Sequence, residues 1–231
     1  MSFPVPYRKK SEIEAMALDL LQRYQMWKAS PILPPIDIDE IVEGYLKINL
    51  QLADLKKLLY IPDVLGATWF EDKVIRVDSS LEGKEGRLSF TMAHEVGHWW
   101  MHRPIYEMEK ITLPIFAYEK EKKPSPAVRC RSIGKKEPAE WQADQFAAML
   151  LMPASVVRSS VLSLHNGPAR IDGLEKEFTN ASENQSLRGT AKHIIESYTF
   201  SNVSIEAMCY RLIELKLVVD SDSRQLAFLE G

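Results

Sequence analysis

The chain is poor in cysteine: its 231 residues include only Cys130 and Cys209, and no Cys-x-x-Cys pair occurs. Two cysteines this far apart make no disulfide framework, so the class of small disulfide-stabilised secreted proteins is excluded. Such cysteine usage is typical of proteins that work in a reducing cytosol. We therefore expect an intracellular protein.

Long hydrophobic runs are absent as well. The first ten residues lack the apolar core of a signal peptide, and no later run approaches the roughly 20 apolar residues of a membrane-spanning helix. The formal net charge of −3 gives the chain as a whole no attraction to nucleic acid or to an anionic membrane. We expect a cytoplasmic protein without a membrane partner, for which direct nucleic-acid binding is unfavourable.

The local patterns predict an α+β fold that is mainly helical. The composition, with 45% hydrophobic and 26% charged residues, is ordinary for a globular protein. A capping-box pattern at Ser11 and Glu14 predicts the start of the first helix. Apolar residues at helical spacing predict helices over residues 11–29, from 37 onward, over 87–102 and 138–151, after 153, and over 190–198 and 204–217.

Three short segments rich in β-branched and aromatic residues predict a small, mostly antiparallel, three-stranded sheet. They are residues 47–52, 66–70 and 73–78, and the last two flank Glu71 and Asp72 like the arms of a hairpin. Residues 67–70 allow two interpretations: an edge strand that holds an extended peptide, or a buried hairpin arm. We favour the buried arm, because exposed strand edges are usually protected.

The sequence His-Glu-Val-Gly-His at residues 94–98 is the feature that points to chemistry. On a helix, His94 and His98 lie on one face and can present two imidazoles to one metal ion. Glu95 stays off the metal and can take a proton from a water molecule, as metal-assisted hydrolysis requires. The pattern predicts a hydrolytic metal site, with Zn²⁺ as the expected ion and Mn²⁺ as the alternative.

The helix predicted over residues 138–151 offers Glu140 and Asp144, which are also four residues apart. Glu140 is the candidate third ligand, which leaves a fourth position for water, as in catalytic zinc sites. Asp144 is the candidate for a hydrogen bond to the distal nitrogen of one histidine ligand. His102 would lie about 12 Å from His94 along a continuous helix, so we assign it a structural or rim role.

Two further details bear on this motif. Gly97 is unfavourable inside a helix by roughly 1 kcal/mol relative to Ala. It indicates a close approach of another backbone or of the substrate, or else a glycine that is simply tolerated. The residue at position 104 is Pro, so the longer metzincin signature, with a third histidine at that place, is excluded. An oxyanion-stabilising donor is also needed; Tyr106, Tyr118, His165 and His193 qualify by type alone, and structural roles are favoured for each.

We divide the chain into a catalytic domain, residues 1–153, and a helical C-terminal region, residues 154–231, packed on it. Residues 103–136 are an expected insertion in the first domain: residues 111–118 form a strand or hairpin arm, and 119–136 form a basic loop. A lid, a docking surface and a solvated loop all fit this loop, and the solvated loop is favoured. Residues 190–217 have the outline of a helix-turn-helix, but their balanced charges favour packing over DNA binding.

Three segments resemble the ImmA/IrrE metallopeptidases. They are RLSFTMAHEVGHWWMH at residues 87–102, EWQADQFAAMLLMP at 140–153 and NVSIEAMCYRLIEL at 202–215. The resemblance runs from about residue 11 to about residue 219, and residues 103–136 have no clear counterpart in it. It implies a minimal zincin-like domain of the gluzincin type, in which helices surround a small sheet, His94, His98 and Glu140 bind the metal, and Glu95 is the general base.

The resemblance also implies a substrate, because similar proteins cleave a helix-turn-helix repressor encoded nearby. Such cleavage releases genes for mobile-element transfer, prophage induction or stress response. The leading hypothesis is therefore a zinc endopeptidase that hydrolyses a specific intracellular protein. The alternative is a non-catalytic regulatory protein that binds and sequesters a repressor partner. A third hypothesis is direct DNA binding through residues 190–217.

Overall fold

The computed structural model describes residues 5–112, 128–131, 137–174 and 183–221. The predictions for residues 113–127 and 132–136, which include most of the basic segment, lie outside these residues. The chain forms two compact units, one from Met1–Ile32 and Ile36–Leu151 and the other from Leu33–Pro35 and Met152–Gly231.

The first unit alternates helices with short strands. Its elements are α1 (Lys10–Lys28), a π-helical turn (Glu40–Tyr45), β1 (Asn49–Ala53), α2 (Leu55–Leu59), β2 (Val64–Trp69), β3 (Val74–Asp78), a 3-10 turn (Ser79–Leu81), α3 (Glu85–Gly97), a π-helical turn (His98–His102), α4 (Arg103–Thr112), β4 (Val128–Arg131) and α5 (Pro138–Leu151). The second unit contains α6 (Ala154–His165), β5 (Ala169–Ile171), α7 (Gln185–Ser197), α8 (Ile205–Glu214) and β6 (Val218–Asp220). The predicted fold class, mainly helical α+β, is confirmed.

Helix α1 begins close to the predicted place, but its cap lies earlier in the chain. The backbone N–H of Lys9 donates to the Glu12 carboxylate at 2.9 Å, so the pair Lys9 and Glu12 replaces the predicted pair Ser11 and Glu14. The buried face carries Ile13, Ala17, Leu20, Leu21 and Tyr24, as the apolar spacing predicts. This face packs against α5.

The main sheet has four strands in the order β1-β3-β2-β4. Strand β1 is parallel to β3, whereas β2 is antiparallel to both β3 and β4. The three predicted strands are present, and the fourth comes from the region predicted as an insertion. The basic charges of residues 119–136 predict a loop and not a strand, whereas residues 128–131 form β4 by pairing with β2.

Strand β2 is an inner strand. Thr68 pairs with Ile75 of β3 on one side and with Val128 of β4 on the other. The interpretation of residues 67–70 as a free edge for a peptide is therefore wrong, and the buried arm is correct. Ala67 and Thr68 are both 0% exposed.

Helices α3 and α5 pack closely at Gly97. A Cβ atom at Gly97 would lie 3.3 Å from the Ala143 Cα and 3.2 Å from the Phe146 Cδ1. The close backbone approach predicted for Gly97 is confirmed, and its partner is α5. This contact brings the helix that carries the histidine motif against the helix that carries Glu140 and Asp144.

In the second unit, side-chain caps decide where the helices begin. Helix α7 starts before the predicted residue 190 because the Asn184 side chain accepts from the Leu187 N–H at 2.9 Å. Arg211 on α8 is 2% exposed, and its Nε donates to the Met152 carbonyl at 3.1 Å. One of the positive charges within residues 190–217, the segment considered for DNA binding, is therefore buried inside this unit.

In the part of the chain that the structure describes, no single helix is long and apolar enough to cross a membrane. Among the described helices, Pro138–Leu151 and Ala154–His165 reach that length and apolarity as a pair, with a break between them.

Asp78, at the end of β3, links the sheet to the start of α2 and to the 3-10 turn that follows β3. Its carboxylate is 2% exposed and accepts from the Leu55 N–H at 3.0 Å and the Ser80 N–H at 3.1 Å. Burial alone would raise the pKa of Asp78, but the hydrogen bonds from Ser80 and Leu55 and the charge of Lys56 lower it below its ordinary value. The ionised carboxylate therefore stabilises the folded state.

We expect Asp78→Ala to lower the free energy of unfolding by about 1–3 kcal/mol at neutral pH, because it leaves a buried N–H without its acceptor. A lowered folded pKa means that the carboxylate stabilises the fold above the ordinary value of 3.8 and loses this effect as the pH falls through the folded pKa. The difference in the free energy of unfolding between wild type and variant should therefore become smaller below pH 3.8. Denaturant titrations at several pH values measure this difference, with exposed Asp72→Ala as the control. A difference that increases on acidification would contradict the assignment.

Candidate metal centre

The predicted ligands come together in the first unit. His94 lies near the end of α3, His98 begins the π-helical turn after it, and Glu140 lies in the first turn of α5. The Nε2 atoms of the two histidines are 3.0 Å apart. Glu140 approaches the His94 Nε2 with one carboxylate oxygen and the His98 Nε2 with the other, each at 3.3 Å. One ligand atom from each residue lies within 4.8 Å of the other two, so the three could hold a metal ion.

Asp144 contacts His94, as its place one turn along α5 from Glu140 allows. Its Oδ1 lies 2.9 Å from the His94 Nδ1. A carboxylate accepts, so Nδ1 donates and the neutral ring keeps a lone pair on Nε2, which faces Glu140. The geometry therefore brings Asp144 to the histidine position that the sequence argument requires.

His102 has a more central place than the sequence predicts. It is 0% exposed, and its Nδ1 lies 2.9 Å from the His98 Nδ1. Its Nε2 lies 3.1 Å from the Gln142 Oε1, and the Gln142 Nε2 donates to the Pro6 carbonyl at 2.8 Å. The prediction that His102 stays out of the metal cluster agrees with the structure, but its contact with a candidate ligand was missed. The signal was available, since His102 follows His98 by one helical turn.

Burial sets the charge of this cluster. It lowers the pKa of His98, and burial together with repulsion from His98 lowers the pKa of His102 to about 3. Burial alone would raise the pKa of Glu140, but its side-chain contacts with His94 and His98 lower it below its ordinary value. The imidazole rings of His98 and His102 are therefore neutral near pH 7, and the Glu140 carboxylate is ionised.

The donor set fits a divalent cation. When the Nδ1 of His94 donates to Asp144, the 3.3 Å contact of its Nε2 with the ionised Glu140 joins two acceptors. Two acceptors repel each other unless a cation or a proton lies between them. Imidazole nitrogens with one carboxylate oxygen are a ligand set that Zn²⁺ takes in hydrolytic sites. The Glu140 side chain keeps 19% of its surface exposed, so the cluster is open to solvent on that side.

Glu95 is held against β2. It is 0% exposed, and the Thr68 Oγ1 donates to its Oε2 at 2.6 Å. Its Oε1 is buried and has no hydrogen-bond partner among the described residues. Burial raises the pKa of Glu95 to about 7, although the nearby His94 and the Thr68 hydrogen bond act to lower it. A buried carboxyl group with one oxygen anchored and one unpaired is suited to proton transfer.

Gly66 leaves space for the Glu95 side chain, and no functional role is predicted for this glycine from the sequence. A Cβ atom at position 66 would lie 2.5 Å from the Glu95 Oε1 and 2.9 Å from the Thr91 Cγ2. The signal was a glycine within a predicted strand, which often marks a close approach of another group. Only the packing of α3 on β2 shows that this group is Glu95.

Tyr106 is the candidate oxyanion donor that the structure describes in the first unit. The Tyr106 hydroxyl donates to Glu71 at 3.1 Å on an exposed surface. Tyr118 lies outside the described residues. His165 and His193 lie on α6 and α7 in the second unit. No oxyanion role is assigned to any of the four.

Comparison with known proteins identifies a family. A sequence model of a peptidase family, described as the IrrE N-terminal-like domain (Peptidase_M78), matches residues 46–212. The match covers more than half of the chain and includes His94, Glu95, His98, Glu140 and Asp144. No protein of curated function matches the chain.

Proposed function

Because the chain belongs to the IrrE N-terminal-like family of peptidases, we propose that it is a zinc-dependent endopeptidase that hydrolyses a peptide bond in a specific intracellular protein. One observation carries this proposal: His94, His98 and Glu140 converge within 4.8 Å, and Glu95 is buried beside them. Three ligands leave a coordination position for water, as in catalytic rather than structural zinc sites.

Under this proposal, the two histidines hold the ion through Nε2 and Glu140 through its carboxylate. Bound Zn²⁺ would act as a Lewis acid on the peptide carbonyl and would lower the pKa of a water molecule. Mn²⁺ is the alternative ion, because imidazole and carboxylate ligands also accept it. Asp144 holds His94 in the tautomer that presents Nε2 and makes that nitrogen more basic.

Glu95 acts as the general base. Thr68 fixes one of its carboxylate oxygens at 2.6 Å, which leaves Oε1 to receive a proton from the attacking water and to pass it to the leaving amine. A pKa of about 7 matches a group that must both accept and release a proton near neutral pH. The chain therefore provides both the proton acceptor and its orientation.

The proposed substrate is a helix-turn-helix repressor encoded near the gene for this chain, in keeping with the resemblance of residues 87–102 and 140–153 to enzymes that cleave such repressors. A DNA-binding role for residues 190–217 is not favoured, since Arg211 is engaged by the Met152 carbonyl and by Glu214, at 3.1 Å and 2.8 Å. Binding would then be directed to a protein rather than to DNA.

The test combines the purified, metal-loaded protein with the repressor encoded beside it, and intact-mass measurement follows the products. We expect two fragments, loss of cleavage on chelation, and recovery when Zn²⁺ or Mn²⁺ is restored. An unrelated helix-turn-helix repressor is the control and should stay whole. A tight stoichiometric complex without cleavage under every metal condition would instead support the sequestering alternative.

We expect Gly66→Ala to lower the cleavage rate roughly a hundredfold with metal content unchanged, because misplacement of a catalytic group by about 1 Å has an effect of this size. The added methyl group would meet the Glu95 Oε1 at 2.5 Å and force it away. Gly189→Ala is the matched control, since a Cβ atom there meets nothing within 4 Å. Steady-state rates and metal analysis of both variants measure the effect. A Gly66→Ala protein with the wild-type rate would show that Glu95 does not need its present position.

A further inference from the structure

Polar groups run in single file from the candidate ligand His98 to the main chain ahead of α1. The His98 Nδ1 lies 2.9 Å from the His102 Nδ1, and the His102 Nε2 lies 3.1 Å from the Gln142 Oε1. The Gln142 Nε2 lies 2.8 Å from the Pro6 carbonyl oxygen. His98, His102 and Gln142 are each at most 1% exposed.

The far end of this row fixes its direction. A carbonyl oxygen only accepts, so the Gln142 amide presents its NH₂ group to Pro6 and its Oε1 to His102. Because that Oε1 also only accepts, the His102 Nε2 must carry the proton of this contact. In the neutral ring, the His102 Nδ1 then has a lone pair and no proton.

The same logic carries to His98. Its Nδ1 faces a lone pair on the His102 Nδ1 at 2.9 Å, so the His98 Nδ1 must donate. The His98 Nε2 is then the unprotonated nitrogen, and it faces the Glu140 Oε1 at 3.3 Å. Reversing any one bond of this row in neutral rings places two lone pairs or two protons face to face in a buried site, which is costly. The row leaves the lone pairs of the His98 Nε2 and the His94 Nε2 facing each other at 3.0 Å, and a bound cation relieves this repulsion.

We propose that His102 and Gln142 are positioning residues that hold His98 in the tautomer with its proton on Nδ1, so that Nε2 is ready to bind the metal. The Pro6 carbonyl is the acceptor that anchors the row. This inference rests on the proposed metal site but not on peptide hydrolysis.

The two histidine ligands are thus oriented by different chemistry. His94 donates to the carboxylate of Asp144, whose side chain is 16% exposed. His98 lies deeper, where an unpaired carboxylate would be strongly disfavoured, and neutral partners orient it without adding a charge. The neutral row sets the direction of the lone pair, whereas Asp144 also adds negative charge.

Nitrogen NMR of the Zn²⁺-loaded, ¹⁵N-histidine-labelled protein tests the tautomers without an activity assay. We expect a protonated Nδ1 and an unprotonated Nε2 for His98, and the opposite arrangement for His102. The exposed His193 should report the averaged signals of a ring in exchange with water. Observation of His102 with its proton on Nδ1 would overturn the proposal, because that nitrogen could then not accept from the His98 Nδ1.

Metal affinity provides the second readout. We expect His102→Phe and Gln142→Leu to weaken Zn²⁺ binding about tenfold to a hundredfold, as loss of such a partner typically does. His102→Gln should retain most of the affinity, because its amide can accept from His98 and donate to Gln142. Met101→Leu, a buried neighbour outside the row, is the control for packing.

The outcomes separate this proposal from the proposed function. Wild-type affinity in both His102→Phe and Gln142→Leu, or an equal loss in His102→Gln and His102→Phe, would overturn the positioning role. Failure of one variant to fold leaves the other variant and the wild-type tautomers to decide. A protein with the expected tautomers and affinities that cleaves no repressor would retain this inference and lose the peptidase assignment.

Discussion

Glu95→Gln is expected to slow cleavage of the repressor by about 10²- to 10⁴-fold while metal content stays at the wild-type level. Glutamine has nearly the same shape, and its amide oxygen can still accept from Thr68, which lies 2.6 Å from the carboxylate. It cannot take a proton from water at neutral pH. Because Glu95 lies outside the converging set of His94, His98 and Glu140, its replacement should leave metal binding intact.

The measurement pairs cleavage rates with metal analysis of the same preparations. Glu82→Gln is the matched control, since it makes the same chemical change on an exposed side chain. Wild-type and control rates should agree. A Glu95→Gln protein that cleaves at the full rate would remove Glu95 from the role of general base, and one that loses its metal would make Glu95 part of the ligand set.

Glu140→Gln is expected to weaken Zn²⁺ binding by more than the roughly tenfold to hundredfold that follows loss of a hydrogen-bond partner of a ligand. The change removes a ligand charge from a site in which that carboxylate faces two Nε2 atoms, each at 3.3 Å. The remaining ligands are then neutral imidazoles. Their attraction for a divalent cation is correspondingly smaller.

A competition titration with a chromophoric chelator measures this affinity directly. Glu137→Gln is the control, because Glu137 is an exposed carboxylate just before the same helix. We expect the control to bind the metal as the wild type does, and Glu140→Gln to lose cleavage together with the metal. Undiminished affinity in Glu140→Gln would place the third ligand elsewhere in the chain.

Much of the site could be read from local patterns. His94, Glu95 and His98 are placed relative to each other by the helical repeat, which depends on neighbours within one turn. Helix α5 has its predicted bounds, Pro138–Leu151, because Pro138 favours a first turn and Pro153 prevents continuation. The three predicted strands follow from their β-branched and aromatic residues in the same way.

Pairing across long stretches of chain could not be read in this way. Strand β4 has few hydrophobic residues that would predict a strand. Its position beside β2 is set by backbone pairing with Ala67 and Thr68. The start of α7 was predicted too late because a single side chain, Asn184, provides its cap. Where the helix propensity of the terminal residues is weak, specific side-chain contacts determine at which residue a helix begins or ends.

By itself, the sequence determined the family, the fold class and the set of residues able to form a metal site, because these depend on residue type and short-range spacing. Tertiary structure alone decided how those residues meet: Glu140 between the two histidines, Asp144 on His94, and Gly66 against Glu95. It also decided that His102 and Gln142 link His98 to the Pro6 main chain, 136 positions from Gln142. Contacts at such separations depend on how helices and strands pack, and no local period encodes that packing.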